Sequence, residues 1–430
     1  MKYKTRKKDP VDISKQNDIP ASLPALTYLS HLYNLEKIRP FDGLKILAVQ
    51  HLLGSTIPFF EMLEKGGVKP QDVYIVGKAY SSHPKVVKLL QAKGYNVTFD
   101  EVFDHIDNLP YDTTLEKHII STAKNLLDNL GKKRGLIIDD GGKAIRLLHQ
   151  LYPQLADRFT GVEQTSRGAR LVSTIDLKCP IVNVARSDAK TINESPMIAK
   201  SMVDEFVTSL IRWDASGVFK AKGNNMLLLG YGYIGEQVAK KMKNYDFNVT
   251  VYDPDSNKLK KAMDDGYVTV SIRANAYDKA HIIVGASGTQ VIPHEEYNAL
   301  AKGTLLVNMA STDTEFSAWN LRPQGKIVDQ CILPSDKQYL STYMPLPWRS
   351  LYKIQLSQTY FYLANGGFPS DFSGKINPIP SEDIQLTSAL LLGGAIQSTQ
   401  ARKPLFYDLD LDLQNNVISE YNRLKSVRTK

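Results

Sequence analysis

Apolar and polar positions sort the chain into two series of short buried runs separated by helical patterns. Runs at 44–50 (LKILAVQ), 72–77 (DVYIVG), 96–99 (NVTF), 135–139 (GLIID) and 181–185 (IVNVA) are mostly apolar over a strand's length. That is the pattern of strands covered on both faces. Amphipathic stretches over 55–65 and about 84–93 fall between the first of them, and a helical run at roughly 195–212 (SPMIAKSMVDEFVTSLIR) closes this half. The second series holds 225–230 (NMLLLG), 248–252 (NVTVY), 281–285 (HIIVG) and 303–308 (GTLLVN), again with helical patterns between. From about 340 the strand signals fade, and 383–401 (DIQLTSALLLGGAIQSTQA) reads as a helix despite Gly393 and Gly394. Strand and helix in alternation predict an α/β architecture of two doubly wound domains.

The second series opens with Gly230-Tyr231-Gly232-Tyr233-Ile234-Gly235, a GxGxxG directly after the strand LLL and ahead of the helix EQVAKKMKN. The first glycine permits a tight turn, the second lets backbone approach a pyrophosphate, and the third lets helix and strand pack closely. Asp253 follows the next strand, 23 residues beyond Gly230. An acid there hydrogen-bonds a ribose diol and repels a 2′-phosphate, so NAD is the expected cofactor. Ala286 and Ser287 after HIIVG, and Asn308 after GTLLV, end later strands and line the same crevice. This domain is a Rossmann NAD-binding domain over 195–345. Residues 1–194 form a flavodoxin- or Rossmann-like substrate domain, and 346–430 return to pack on it.

Polar groups gather at strand ends in the first series. His51 follows LKILAVQ, Asp139 and Asp140 close LIIDD, Glu163, Gln164, Thr165 and Ser166 follow TGV, and Lys190 follows NVARSDA with Glu194 one turn later. Titratable groups converging from several strand ends mark an active-site rim. Each also has a bland role: His51 as a loop histidine, the aspartates as helix caps, Lys190 and Glu194 as an i,i+4 pair.

Composition narrows the class without redirecting it. Basic side chains number 53 against 45 acidic, a formal charge of +8, but nine of them lie in residues 1–8 and 421–430, and without those nine the rest carries −1. The tails, not a basic stripe, make the chain basic, so no nucleic-acid partner is expected. No apolar run reaches the ~18–20 residues of a membrane span. Cys179 and Cys331 have no CxxC spacing, which argues against a zinc ribbon or disulfide scaffold and favours the cytoplasm. No metal site is expected.

In order along the chain, AVQHLLGST, LIIDDGGKAIRLLH, GVEQTSRGARL, NVARSDAKTINES, GYGYIGEQVA with Asp253, VGASG and VNMASTD resemble the S-adenosylhomocysteine hydrolase family over about residues 44–315. The resemblance implies a bound NAD that oxidises the 3′-hydroxyl of a nucleoside, acidifying its neighbour so that a thiol leaves and water adds. It implies His51 as acid/base, Asp139 or Asp140 as the active-site aspartate, Lys190 against the oxidised hydroxyl, Glu194 in place of an aspartate, and Asp140 and Gln164 against substrate. It places Thr165, Ser166, Gly230, Gly232, Tyr233, Ile234, Gly235, Asp253, Ala286, Ser287 and Asn308 at the cofactor. The departures are concentrated. Leu53 and Ser55 replace a threonine and a glutamate, Gln164 replaces a glutamate, and Ser311 and Phe368 stand where the family has histidines. The family's C-terminal Lys-Pro-x-x-Tyr-Arg-Tyr arm is absent from YNRLKSVRTK, which favours a homodimer over a tetramer. The expected substrate is a nucleoside or related thioether. A non-catalytic NAD-binding homologue is the alternative, and a 2-hydroxy acid dehydrogenase would need a set built on Arg273 and His294.

Overall fold

A computed structural model describes residues 18–99, 108–331 and 346–428. The basic segment 1–8 and Lys430 lie outside the described residues. Two compact units emerge. The N-terminal unit takes its described residues from 18–99, 114–194 and 375–428, and the central unit from 108–113, 195–331 and 346–374.

Six strands of the N-terminal unit come first in the chain: β1 (Leu44–Gln50), β2 (Val73–Gly77), β3 (Asn96–Thr98), β4 (Arg134–Asp139), β5 (Phe159–Glu163) and β6 (Ile181–Asn183). The central unit contributes β7 (Asn225–Leu229), β8 (Asn248–Tyr252), β9 (Val268–Thr269), β10 (Ile282–Gly285), β11 (Thr304–Asn308), β12 (Gly325–Gln330), β13 (Ser350–Gln355) and β14 (Tyr360–Leu363). A last strand, β15 (Phe406–Asp408), returns to the first sheet.

The N-terminal sheet runs β15-β6-β5-β4-β1-β2-β3, every pair parallel. The order reverses between β1 and β4, and the crevice outside the carboxyl ends at such a switch point is where open α/β sheets bind ligands. Ile46, Ala48, Leu136, Ile138 and Val162 are fully buried in one core with Leu386, Ala389 and Leu390 of the helix Ser381–Gln400. Two glycines inside a helix cost about 1 kcal/mol each relative to alanine. Here a Cβ on Gly394 would stand 2.7 Å from Val184 and 3.0 Å from Val162, so the bare backbone lets the helix lie close on the sheet.

The central sheet runs β12-β13-β14-β11-β10-β7-β8-β9, with β13 antiparallel to both neighbours and the other pairs from β14 to β9 parallel. Strand character therefore does not fade after 340. The pieces β13 and β14 are short, carry Lys353 and Gln355, and are parted by a polar turn, which hides them from a search for long apolar runs. They move the domain boundary: because they extend the central sheet, the chain rejoins the N-terminal unit at 375, not 346. Residues 108–113 also belong to the central unit, where the Tyr111 N–H donates to Asp313 Oδ1 at 3.3 Å. The expected helix at 195–212 is part of a longer one, Asp188–Ser216, that runs through Pro196. Proline favours a helix's first turn, so the sequence mimics a start there.

Candidate active site

Register brings one row of side chains level at the carboxyl edge of the N-terminal sheet. Ala48 pairs with Ile138 and Asp139 with Glu163, so two positions beyond Ala48 and one beyond Glu163 place Gln50, Asp140 and Gln164 side by side. Asp140 is the hub. Its Oδ1 pairs with Lys78 Nζ, its Oδ2 accepts from Gln164 Nε2, and His51 Nε2 stands 3.4 Å from Oδ2. Burial alone would raise this carboxyl, but Lys78 and His51, with the hydrogen bonds from Lys78 and Gln164, hold it well below the usual carboxylate range. Burial, helped by the Lys78 and Lys190 cations and opposed by Asp140, pushes His51 down to about 4, so its ring is neutral at pH 7.

An ionised Asp140 only accepts, which fixes Gln164 with its amide nitrogen toward it. That nitrogen also reaches Gln50 Oε1 at 3.5 Å. Gln50 is thereby oriented with Nε2 turned away, and this buried donor has no partner among the described residues. Lys190, in the first turn of Asp188–Ser216, donates to the Gln164 carbonyl and lies 3.3 Å from Glu194 Oε2. Burial raises the Glu194 carboxyl against the pull of Lys190.

Asp139 does different work from Asp140. Its Oδ2 accepts from the Ile145 N–H at 2.9 Å, at the start of the helix Lys143–Leu151, and Oδ1 makes no hydrogen bond of good geometry among the described residues. Glu163 accepts from the N–H groups of Gly141 and Gly142 at 3.2 and 2.7 Å and from the N–H and hydroxyl of Thr165 at 2.6 Å each. Burial raises both carboxyls, and the charges of their acidic neighbours add to it. The pair ties two strand-end loops down. Thr165 also accepts from the Gly168 N–H and caps the short helix that Ser166 begins. Thr165 and Ser166 thus belong to the N-terminal unit, while the glycine motif belongs to the central one.

In the central unit Gly230 has φ +107, and a Cβ there would stand 2.8 Å from the Ala286 carbonyl oxygen. A Cβ on Gly235 would strike the Gly230 carbonyl. Around Gly232, by contrast, no described atom lies within 4 Å of where a Cβ would stand. This glycine caps the helix Tyr233–Lys243, so open space lies over backbone N–H groups suited to a pyrophosphate. Asp253 accepts from the N–H groups of Tyr231 at 2.7 Å and Asp255 at 2.9 Å, which orients its carboxylate beside the motif. Tyr233 is exposed and Ile234 packs against the core. These residues fit NAD.

Neighbouring strand ends are more self-contained. Asn308 donates to the Thr312 and Gly367 carbonyls and accepts from the Ala310 N–H, so its buried amide is fully engaged. The Ser287 and Gly288 N–H groups converge on the buried Glu315, whose carboxyl is pushed up to about 7 by burial despite them. Phe368 is fully buried, ringed by Tyr111 at 5.6 Å, Trp348 at 5.8 Å and the Arg322 guanidinium at 5.2 Å. Arg322 in turn pairs with Asp313 at 2.8 Å. The place of one family histidine is therefore taken by a buried phenyl ring packed between aromatic rings and an ion-paired guanidinium. Ser311 lies half-buried after β11. Arg273 is held by Glu296 at 2.7 Å.

Lys78, Ser81, Gln50 and Glu315 escaped the sequence reading. Lys78 directly follows the strand VYIVG, with Ser81 in the turn after it, and Lys78 carried the same strand-end signal as His51. Among the described residues no helix is long and apolar enough to cross a membrane, and no group of three or more His, Cys, Asp or Glu could hold a metal ion.

Fold and glycine motif together define an NAD-dependent enzyme family built on two doubly wound units. Residues 204–341 match the S-adenosyl-L-homocysteine hydrolase NAD-binding domain. S-inosyl-L-homocysteine hydrolase of Methanopyrus kandleri is 26% identical over 296 residues, 65% of this chain and 62% of that protein. Adenosylhomocysteinase of Thermotoga maritima is 23% identical over 418 residues, 94% of this chain and 92% of that one. An uncharacterized protein of Mycobacterium tuberculosis is 28% identical over 368 residues, 84% of this chain. The chain spans 66% of that relative's length, just under two thirds. Over residues 204–341 the chain is similar to the NAD-binding domain of S-adenosylhomocysteine hydrolases, and the relatives named for that chemistry are 23–26% identical to it.

Proposed function

We propose that the chain uses tightly held NAD to oxidise a hydroxyl of a nucleoside thioether or a related small molecule, opening the way to elimination and hydration. The observation that carries this reading is the Asp140 hub, which keeps a neutral imidazole, an ionised carboxylate and two lysines at one strand edge. NAD, when bound, supplies a reversible hydride acceptor. Gly230, Gly232 and Gly235 would hold its pyrophosphate against the helix N-terminus and Asp253 its ribose diol. Lys190 stands against the hydroxyl being oxidised and favours loss of its proton. His51 takes and returns the proton moved as the thioether bond breaks and water adds. Asp140 takes the active-site aspartate's role, and Asp139 holds the helix behind it.

Two relatives carry names that share the S-homocysteine portion and differ in the base, inosyl against adenosyl, so both nucleosides are probes. The chain loaded with NAD is mixed with S-adenosylhomocysteine, S-inosylhomocysteine or adenosine and followed at the reduced-nicotinamide band. A rise that Lys190→Ala abolishes supports the reading; a flat trace from NAD-loaded protein with every probe sinks it. The buried Phe368 favours a second reading, a non-catalytic NAD-binding homologue, and the flat trace is what that reading requires.

A further inference from the structure

Both ring nitrogens of His51 are engaged. Nδ1 meets Ser81 Oγ, and Nε2 faces Asp140 Oδ2 at 3.4 Å, long for a hydrogen bond but close enough for the charge to choose the tautomer. Asp140 is anchored by Lys78 and Gln164 and only accepts, so the proton of the neutral ring belongs on Nε2. The lone pair then sits on Nδ1, and Ser81 must donate to it. Ser81 ends the turn Ala79–Ser81, between β2 and the helix Pro84–Ala92, where strand, turn and helix present a side chain at the sheet's carboxyl edge. Its other contact is weak, a bond to the Lys78 carbonyl at 3.4 Å. The edge of the Tyr80 ring lies 5.9 Å from the imidazole.

We propose that Ser81 is the third member of a Ser81–His51–Asp140 proton relay, the buried hydroxyl through which His51 exchanges protons with an O–H- or S–H-bearing ligand. This rests on the proposed NAD-dependent reading of the site. In the forward step an O–H proton passes to Ser81 Oγ while the Ser81 proton passes to Nδ1, leaving imidazolium beside Asp140. In the reverse step Nδ1 returns its proton to Ser81 and Ser81 passes one to the leaving sulfur or to oxygen. No proton is gained or lost over the cycle. Lys78 from the end of β2 and Lys190 from Asp188–Ser216 both disfavour imidazolium, and Asp140 from the end of β4 opposes them, so the charged ring is short-lived.

The test uses the full chain loaded with NAD and labelled with ¹⁵N-histidine, the His51 signals being identified by their loss in His51→Gln. At pH 7 the relay requires a neutral ring protonated on Nε2, with an Nδ1 signal shifted by an accepted hydrogen bond. Ser81→Ala removes that shift and Ser81→Thr restores it. A proton on Nδ1 in the wild type, or an Nδ1 signal indifferent to Ser81→Ala, overturns the relay. With S-adenosylhomocysteine, Ser81→Ala is expected to slow thiol release about 100-fold or more while reduced nicotinamide still forms, with recovery in Ser81→Thr. Equal loss of both signals, without rescue by threonine, also overturns it. If wild type forms no reduced nicotinamide, the redox reading fails on its own, and the nitrogen spectrum still decides the relay.

Discussion

The carboxyl edges of the two sheets solve the same problem with different materials. At the central edge backbone does the work: Gly230, Gly232 and Gly235 shape a turn and leave a helix N-terminus open. At the N-terminal edge side chains do it, with Asp140 saturated by partners that arrive from β2, β5 and the loop after β1. A backbone cradle tolerates change around it and fails when a glycine gains a side chain. A side-chain hub tolerates small shape changes and fails when a charge loses its partner.

Lys78→Met is the hardest blow to the side-chain edge, since it strands a buried carboxylate. A loss of about 3–5 kcal/mol is expected in urea unfolding. Adding Asp140→Asn should recover part of it, and simple additivity of the two would refute the hub. Gly235→Ala is the matching insult to the backbone edge. Forcing a methyl against the Gly230 carbonyl should cost about 1–3 kcal/mol and abolish NAD binding by calorimetry. Retention of tight binding would mean that the glycines do not shape the site.

Phe368→His restores the residue type found in the family. Inside the cage of Tyr111, Trp348 and Arg322 an imidazole underfills the phenyl site and sets a polar ring against a guanidinium, so stability should fall by about 1–3 kcal/mol with no gain in reduced-nicotinamide formation. A gain in activity would show the pocket to be poised for that histidine.

Two residues, His51 at one edge and Glu315 at the other, should answer pH with opposite signs. His51 has a folded pKa near 4, below its usual 6.5, so stability present above pH 6.5 is lost as the unfolded chain takes up a proton on the way down to 4. Glu315 is raised from 4.5 to about 7, so its contribution is complete below 4.5 and fades as pH rises through 7. Each slope is at most about 1.4 kcal/mol per pH unit. The two windows overlap between pH 4.5 and 6.5 and oppose each other there, so urea midpoints should rise less steeply with pH in His51→Gln and more steeply in Glu315→Gln than in the wild type. The smallest effect belongs to Asp139→Asn, which keeps an acceptor for the Ile145 N–H and should cost about 1 kcal/mol or less by the same measurement.

The contrast between the edges also decides what could be read from the chain beforehand. Glycine spacing, a following strand and an acid lie within one contiguous stretch, so the cofactor motif and the parallel core of both sheets were legible. The Asp140 hub draws on residues scattered from His51 to Lys190, and nothing local distinguishes Asp140 from Asp139. Register does: one residue of difference turns one carboxyl toward His51 and the other toward the start of a helix. Lys78 looked like any surface lysine because its burial depends on the aspartate 62 positions away. Short mixed-polarity strands such as β13 escaped because their burial comes from neighbours in the sheet, not from their own composition.

The return of the chain at 375 has a consequence for how the molecule is made. Synthesis delivers β1 to β6 early, yet the helix Ser381–Gln400 that seals their core and the strand β15 that completes the sheet emerge last. That late helix joins a core in which Leu26, Phe60 and Leu63 from earlier helices already accompany Ile46, Ala48, Leu136 and Ile138. The N-terminal unit is therefore closed by a segment that follows the whole central unit in the chain.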